Sequence, residues 1–244
     1  MTISSTTATG PLDPTAGRDI ILVAGLWLDQ TVWDDVAAAL DRYGHRAMPV
    51  ALPGAGDSRT DATLEDQVSA VLAAVDAADR PVVVGHSAAS GLAWIAADRR
   101  PAEVGRVVMI GGFPSSNGGL YADIFPIADG VMPFPGWEPF EGPDAADLDA
   151  AARSALAARA IPVPEGVARG TVTLADERRF DVPVTEVCPE FDADQAKVWI
   201  DSGDVPELAA ARHLSLVDIE SGHWPMVTRP DELARILDGI ARES

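Results

Sequence analysis

The chain has 244 residues, 47% of them hydrophobic, enough to bury the core of one large domain. Its 38 acidic residues against 18 basic ones give a formal charge of −20, which repels phosphate backbones and anionic headgroups and argues against nucleic acid or a membrane surface as a partner. The single cysteine, Cys188, excludes an intramolecular disulfide and a cysteine-based zinc cluster. No run approaches the ~20 apolar residues of a membrane span. The first residues show neither the basic nor the apolar segment of a signal peptide, so the expected setting is cytoplasmic. The expected partner is a small-molecule substrate, and the chain is expected to be a monomer or homodimer.

Residues 1–17, rich in Thr, Ser, Gly and Pro, are expected to form a disordered N-terminal tail. Asp19 to Ala24 is a compact apolar run ending at Gly25, followed by a helical pattern through Thr31, Val32, Trp33, Val36, Ala37 and Leu40. His45 to Leu52 reads as a second strand, closed by the loop Pro53-Gly54-Ala55-Gly56-Asp57-Ser58. Leu64, Val68, Val71, Leu72 and Val75 recur at helical spacing and mark an amphipathic helix.

Pro81 to Gly91, PVVVGHSAASG, is a β-branched strand that runs without a gap into small, helix-compatible residues. A serine at such a junction suits a nucleophile elbow, in which a strained turn presents the hydroxyl and the neighbours must be small. Ser87 is the candidate nucleophile. Ala89 stands where the usual Gly-x-Ser-x-Gly pattern has its last glycine, and it is small enough to keep the turn feasible.

Val104 to Ile110 supplies another strand, ending at Gly111-Gly112. From Phe113 to about Asp181 the strand–helix rhythm breaks into a proline-rich, aromatic stretch too long for an ordinary connection. A helix is expected there over Asp144 to Ala160, with Asp147 and Asp149 near its N-terminus. The rhythm resumes with a strand at Val182 to Cys188, an acidic turn, a helix near Gln195 to Ser202, a strand at Leu214 to Ile219 and a closing helix from Pro230 to Arg242. The pattern predicts an α/β fold with an open, mostly parallel, doubly wound sheet. Its core would comprise residues 18–112 and 182–244, with 113–181 inserted before the penultimate strand.

In such sheets the loops at the carboxyl ends of the strands converge on one edge. Those loops carry Gly25-Leu26, Ser87, the acidic turn after Cys188, and Ser221-Gly222-His223-Trp224-Pro225. The Ser–acid–His order along the chain is the one this architecture uses. A serine hydroxyl needs a base to take its proton, and His223, by placement, is the best of four histidines. Four dispersed histidines give no metal-ligand spacing, so no metal and no cofactor are expected.

From Arg18 to the C-terminus the chain resembles the α/β-hydrolases. The resemblance rests on the Gly85-His86-Ser87-Ala88-Ala89 elbow, the Gly25-Leu26-Trp27 turn, the Pro53 to Ser58 loop and Gly222-His223-Trp224-Pro225. Ala24 and Ala51 depart from the His and Asp common at those places in the family, but neither position supplies nucleophile or base. The resemblance implies that the strand ending at Cys188 is followed by Gly, two variable residues and Asp. With Pro189 in the glycine place, Asp192 becomes the orienting acid, Glu190 its competitor and Asp194 a helix cap. It further implies an oxyanion hole from the backbone amides of Leu26 and Ala88, and a cap over the site formed by 113–181. Trp27 and Trp224 would line the substrate pocket, while Phe134, Trp137 and Phe140 would form the cap's own small core.

These features point to a serine hydrolase cleaving an ester, lactone or related acyl bond of a small hydrophobic substrate through an acyl-enzyme. The alternatives on the same fold are a cofactor-independent lyase, oxygenase or carbon–carbon bond enzyme, or a non-catalytic ligand receptor.

Overall fold

A computed structural model describes residues 17–243, so all but the last residue of the expected tail lies outside the described residues. Six strands form one parallel sheet in the order β2-β1-β3-β4-β7-β8. In chain order the elements begin with β1 (Asp19–Val23), α1 (Asp34–Arg42), β2 (Arg46–Pro49), α2 (Leu64–Asp76), β3 (Val82–His86), α3 (Ala89–Arg99) and β4 (Arg106–Ile110). The inserted segment holds β5 (Val131–Met132), α4 (Ala150–Arg159), β6 (Val163–Pro164) and α5 (Glu165–Ala168), with β5 and β6 paired antiparallel. Then come β7 (Val184–Cys188), α6 (Ala193–Ser202), α7 (Pro206–Ala209), β8 (Leu214–Asp218), α8 (Pro225–Thr228) and α9 (Pro230–Arg242).

Strand alternation divides the core between the two faces of the sheet. Ile21, Val23, Val83, Val107, Met109 and Val184 pack against α2 and α3. Ile20, Leu22, Val82, Val84, Val108 and Ile110 pack against α1 and α9. Both faces of β3 are therefore covered, which is why its sequence is an unbroken apolar run. Each large side chain wholly removed from water here, such as Ile20, Leu22 or Met109, contributes about 1.5–3 kcal/mol.

Local chemistry sets the ends of the elements. Thr63 caps α2 in a reciprocal capping box with Asp66, and Asp231 and Glu232 occupy the first turn of α9 after Pro230. The strand expected over His45 to Leu52 is shorter, because β2 is an edge strand that ends at Pro49, a residue with no N–H to donate. The helix expected over Asp144 to Ala160 is also shorter. A 3-10 turn at Pro143–Ala145 precedes it, and Asp149 accepts a 2.7 Å bond from the Ala152 N–H and so starts α4 at Ala150. No residue of α4 is fully buried. Among the described residues no helix is long and apolar enough to cross a membrane.

The chain leaves β1 outward to β2 and returns across it to β3. The carboxyl ends of β1 and β3 therefore flank the point where the strand order reverses, the place where open α/β sheets bind their ligands.

Candidate active site

Ser87 directly follows β3 and has a φ of +55°, the left-handed region that a side chain adopts only under constraint. The constraint is visible in its surroundings. The Ser87 N–H donates to the Ile110 carbonyl at 2.8 Å, which ties the turn to β4. From the other side β1 presses close: a methyl group on Gly25 would stand 2.8 Å from His86 Nδ1 and 3.0 Å from Ser87 Cβ. Only glycine at position 25 lets the two loops meet. Among the described residues the backbone N–H groups of Leu26 and Ala88 have no hydrogen-bond partner, and Ala88 leads into the N-terminal, partially positive end of α3.

His223 lies at the end of the β8 loop and is held from three sides. Its backbone N–H donates to the Asp144 carbonyl at 2.7 Å, and its carbonyl accepts a 2.8 Å bond from His86 Nε2. Its ring Nδ1 is 2.7 Å from Glu190 Oε1, with both side chains largely buried. An imidazole that donates Nδ1–H to a carboxylate leaves Nε2 as the basic nitrogen. Trp224 meets the ring edge-on, with centroids 4.9 Å apart.

The carboxylate beside His223 is thus Glu190 and not Asp192, the acid expected from the family spacing. Asp192 is exposed and occupied elsewhere. Its Oδ1 accepts from the Gln195 N–H at 2.8 Å while Gln195 returns a bond to the Asp192 N–H, a capping box that starts α6. The second residue after Cys188 meets His223 at the sheet edge, and the fourth already caps a helix. Asp192-Ala-Asp-Gln195 carries the capping-box spacing in the sequence, which is the signal that assigns Asp192 to the helix. Asp194 lies in the first turn of α6 and does not cap it.

Gly111-Gly112 joins the two halves of the site. A methyl on Gly112 would lie 2.4 Å from the Ser87 carbonyl, whereas one on Gly111 (φ +60°) would lie 3.1 Å from Glu190 Oε2 and 3.3 Å from His223 Nδ1. The end of β4 is therefore a thin wedge between Ser87 and Glu190, where a side chain would collide.

Two buried ionisable groups back this arrangement. His86 is wholly desolvated beside His223, and burial first, then that neighbour, push its pKa down to about 3. It is neutral, and its Nε2–H donates to the His223 carbonyl, leaving Nδ1 buried without a partner. Glu186 on β7 is fully buried, and neither oxygen makes a hydrogen bond of good geometry, although the Gly111 and Gly112 amides lie near. Burial, reinforced by the charge of Glu190, holds its carboxyl well above the usual range and so in the protonated form. Burial also pushes the Cys188 thiol up to about 12, which leaves it unreactive. Of the remaining histidines, His45 is structural: it accepts from the Arg18 N–H and pairs with Asp238 at 2.9 Å. His213 sits exposed before β8.

Trp27 and Trp224 are both buried, and both line a chamber of about 20 Å³ with Leu26, Leu28, Phe134, Trp137, Leu156 and Ala160. Trp27 also ties the inserted segment to the core. Its indole N–H donates to the Met132 carbonyl, its own carbonyl accepts from the Ile161 N–H, and its φ is +62°. Phe134, Trp137 and Phe140 do not form a separate small core. They pack edge-on against Trp27 or Trp224, with centroids 5.3 to 5.9 Å apart, so inserted segment and core share one aromatic cluster.

Among the described residues no group of three or more histidine, cysteine or acidic side chains is placed to hold a metal ion. Chemically, the site offers a hydroxyl on a strained turn, a carboxylate-oriented imidazole, two unengaged amides and an apolar chamber.

The comparisons with known proteins agree with this architecture. A search of curated protein sequences gave no match. Among solved structures, an extracellular alpha/beta-hydrolase from a Paenibacillus species, described as sharing structural and functional homology with tobacco salicylic acid binding protein 2, superposes with a TM-score of 0.77 at 17% identity, covering 92% of this chain and 99% of that one. Tomato methylketone synthase I in complex with 2-tridecanone gives 0.70 at 16% identity, with 93% and 99% covered. A pyrethroid hydrolase from Sphingobium faniae gives 0.69 at 18% identity, with 93% and 98% covered. At these identities the likeness concerns the fold. The model of the alpha/beta hydrolase family matches residues 20–236, nearly the whole folded chain, and with the parallel sheet and the elbow at its switch point this makes the protein a member of that family.

Proposed function

We propose that the protein is a serine hydrolase that cleaves a carboxylic ester or lactone of an apolar compound through an acyl-enzyme. The observation that carries this reading is the 2.7 Å contact between His223 Nδ1 and Glu190 Oε1 at the sheet edge that also bears the strained Ser87. Ser87 Oγ attacks the carbonyl carbon as its proton passes to His223 Nε2, and Glu190 stabilises the imidazolium that forms. The carbonyl oxygen, now an anion, is received by the Leu26 and Ala88 N–H groups; one such donor is worth about 3 kcal/mol of barrier. Collapse expels the alcohol, which takes the proton from His223. Water, deprotonated by the same imidazole, attacks the acyl carbon and returns Ser87 with the carboxylic acid. The aromatic insertion over the site, read as a cap, supplies the dry surroundings in which these charges interact strongly.

Two substitutions in one turn separate this reading from the one based on family spacing. Glu190→Gln removes the anion beside His223 and is expected to lower kcat toward a phenyl ester by roughly 10⁴-fold, whereas Ser87→Ala leaves only background turnover. Asp192→Ala removes a helix cap, which costs about 1 kcal/mol of stability, and leaves kcat unchanged. Steady-state kinetics with denaturant unfolding of the same variants checks both expectations; a catalytic loss in Asp192→Ala with Glu190→Gln fully active would reverse the assignment.

A further inference from the structure

The aromatic chamber beside the site is small, but it does not end blindly. Trp27, Leu28 and Leu156 line it, and the same three residues line a wider groove of about 210 Å³ on the outside. That groove runs between α4 of the inserted segment and the start of α1, with α8 at its base. Its wall is apolar at Val32, Ala152, Ala155, Met226 and Val227 and polar at Asp29, Thr31, Asp35 and Arg159. At the inner end the chamber reaches Leu26, next to the open amide, and Trp224, whose ring touches His223.

The wall that separates groove from chamber is lightly held. Leu28 and Leu156 are only partly buried, and α4, which carries Leu156, buries no residue completely. Its C-terminal end is fastened to the core by Arg159, which donates to Thr31 Oγ1 and lies 3.9 Å from Asp29 Oδ1, a pair that is solvent-exposed and therefore weak. Its N-terminal end is fixed by Arg153 to the Ala145 and Leu148 carbonyls. Two residues beyond α4 the Ile161 N–H also donates to the Trp27 carbonyl at 2.9 Å.

We infer that this groove binds the apolar alcohol arm of the ester, with Leu156 and Leu28 as the gate between it and the reacting carbonyl. The inference rests on Ser87 being the nucleophile. The arm is the alcohol side because the chamber meets the site at Trp224, against the imidazole that protonates the leaving oxygen. The substrate class that follows is an ester whose alcohol carries an extended, uncharged apolar chain. A negatively charged chain end is disfavoured by Asp29 and Asp35 in the groove wall.

The test measures kcat/KM for a series of alkyl acetates from ethyl to octyl, with ethyl octanoate as the acyl-side control. Wild type, Leu156→Trp and Leu156→Ala are compared, and the rate at which a small ethyl fluorophosphonate labels Ser87 is measured in each. Leu156→Trp is expected to depress octyl acetate relative to ethyl acetate by about tenfold or more, within the range a few methylenes command in an apolar pocket, and Leu156→Ala to leave or raise it. The small probe should label all three, its rate changing far less than octyl acetate turnover does, and circular dichroism shows that the variants are folded. If the probe labels all three but their chain-length profiles coincide, or if the loss falls on ethyl octanoate instead, the groove is not the alcohol site and the hydrolase reading stands. If wild type is neither labelled nor active on any ester, the hydrolase reading fails, and this inference fails with it.

Discussion

At the scale of single residues, the site is surrounded by groups whose charge states are set by burial. His86 stays neutral in the folded protein down to about pH 3, whereas in the unfolded chain it takes up a proton near 6.5. Below pH 6.5 the unfolded state therefore binds more protons, and stability falls as pH falls through that window. Glu186 behaves oppositely: it keeps its proton in the folded state well above 4.5, so the folded state binds more protons there and stability falls as pH rises. Each group contributes a slope of up to about 1.4 kcal/mol per pH unit. Glu186→Gln replaces a neutral acid by a neutral amide of the same shape and removes only the second slope. Urea unfolding of this variant should show a steeper decline than wild type on acidification from pH 6.5 to 4.5, where the two slopes oppose each other in wild type, and a flatter dependence just above 6.5. Superimposable curves would contradict the protonated, buried carboxyl.

Ser87 and His223 could be read from the sequence because their neighbours are constrained: glycine, small residues and a β-branched strand announce an elbow, and Gly222-His223 announces a strand-end loop. The partner of His223 was less legible. Three carboxylates lie within five residues, and the choice depends on how Pro189 turns the chain, a backbone property that composition does not carry. His86 and Glu186 gave no signal, since their importance comes from burial created by other elements.

At the scale of elements, the helix that follows Ser87 is anchored by a buried ion network. Asp98 of α3 accepts from the Ala175 and Asp176 N–H groups and meets Arg179 at 3.3 Å. Arg179 pairs with Glu207 of α7 at 2.9 Å, and Glu207 also accepts the Trp94 indole N–H. The end of the inserted segment is thereby fixed to α3, whose N-cap is Ala88. Arg179→Met strands two buried carboxylates and is expected to cost about 3–5 kcal/mol. Denaturant unfolding measures this directly, and a loss below about 1 kcal/mol would mean that the network behaves as a surface pair. The six strands of the sheet were legible as compact apolar runs, and the helices α1 and α2 through helical periodicity. The short elements α5, α7, α8, β5 and β6 were not. They hold too few residues to show a period, and contacts such as Glu165 N–H to the Gly130 carbonyl define them.

At the scale of the whole molecule, a parallel sheet with one reversal of strand order brings four loops from distant parts of the chain to one edge. Residues 20–236 carry the family pattern, and the alternation of strands and helices made that architecture readable before any coordinate was known. The inserted segment was recognisable only as an interruption, because its packing on Trp27 and Trp224 is a tertiary matter. We propose that this convergence makes one serine nucleophilic. The most direct measurement is intact mass and peptide mapping after treatment with an alkyl fluorophosphonate. One adduct per chain is expected, on the peptide containing Ser87, absent from Ser87→Ala, slower to form in Glu190→Gln and unchanged in Asp192→Ala. No adduct on the wild type, or an adduct on Ser90, whose hydroxyl is already bound to the Gly85 carbonyl, would contradict it.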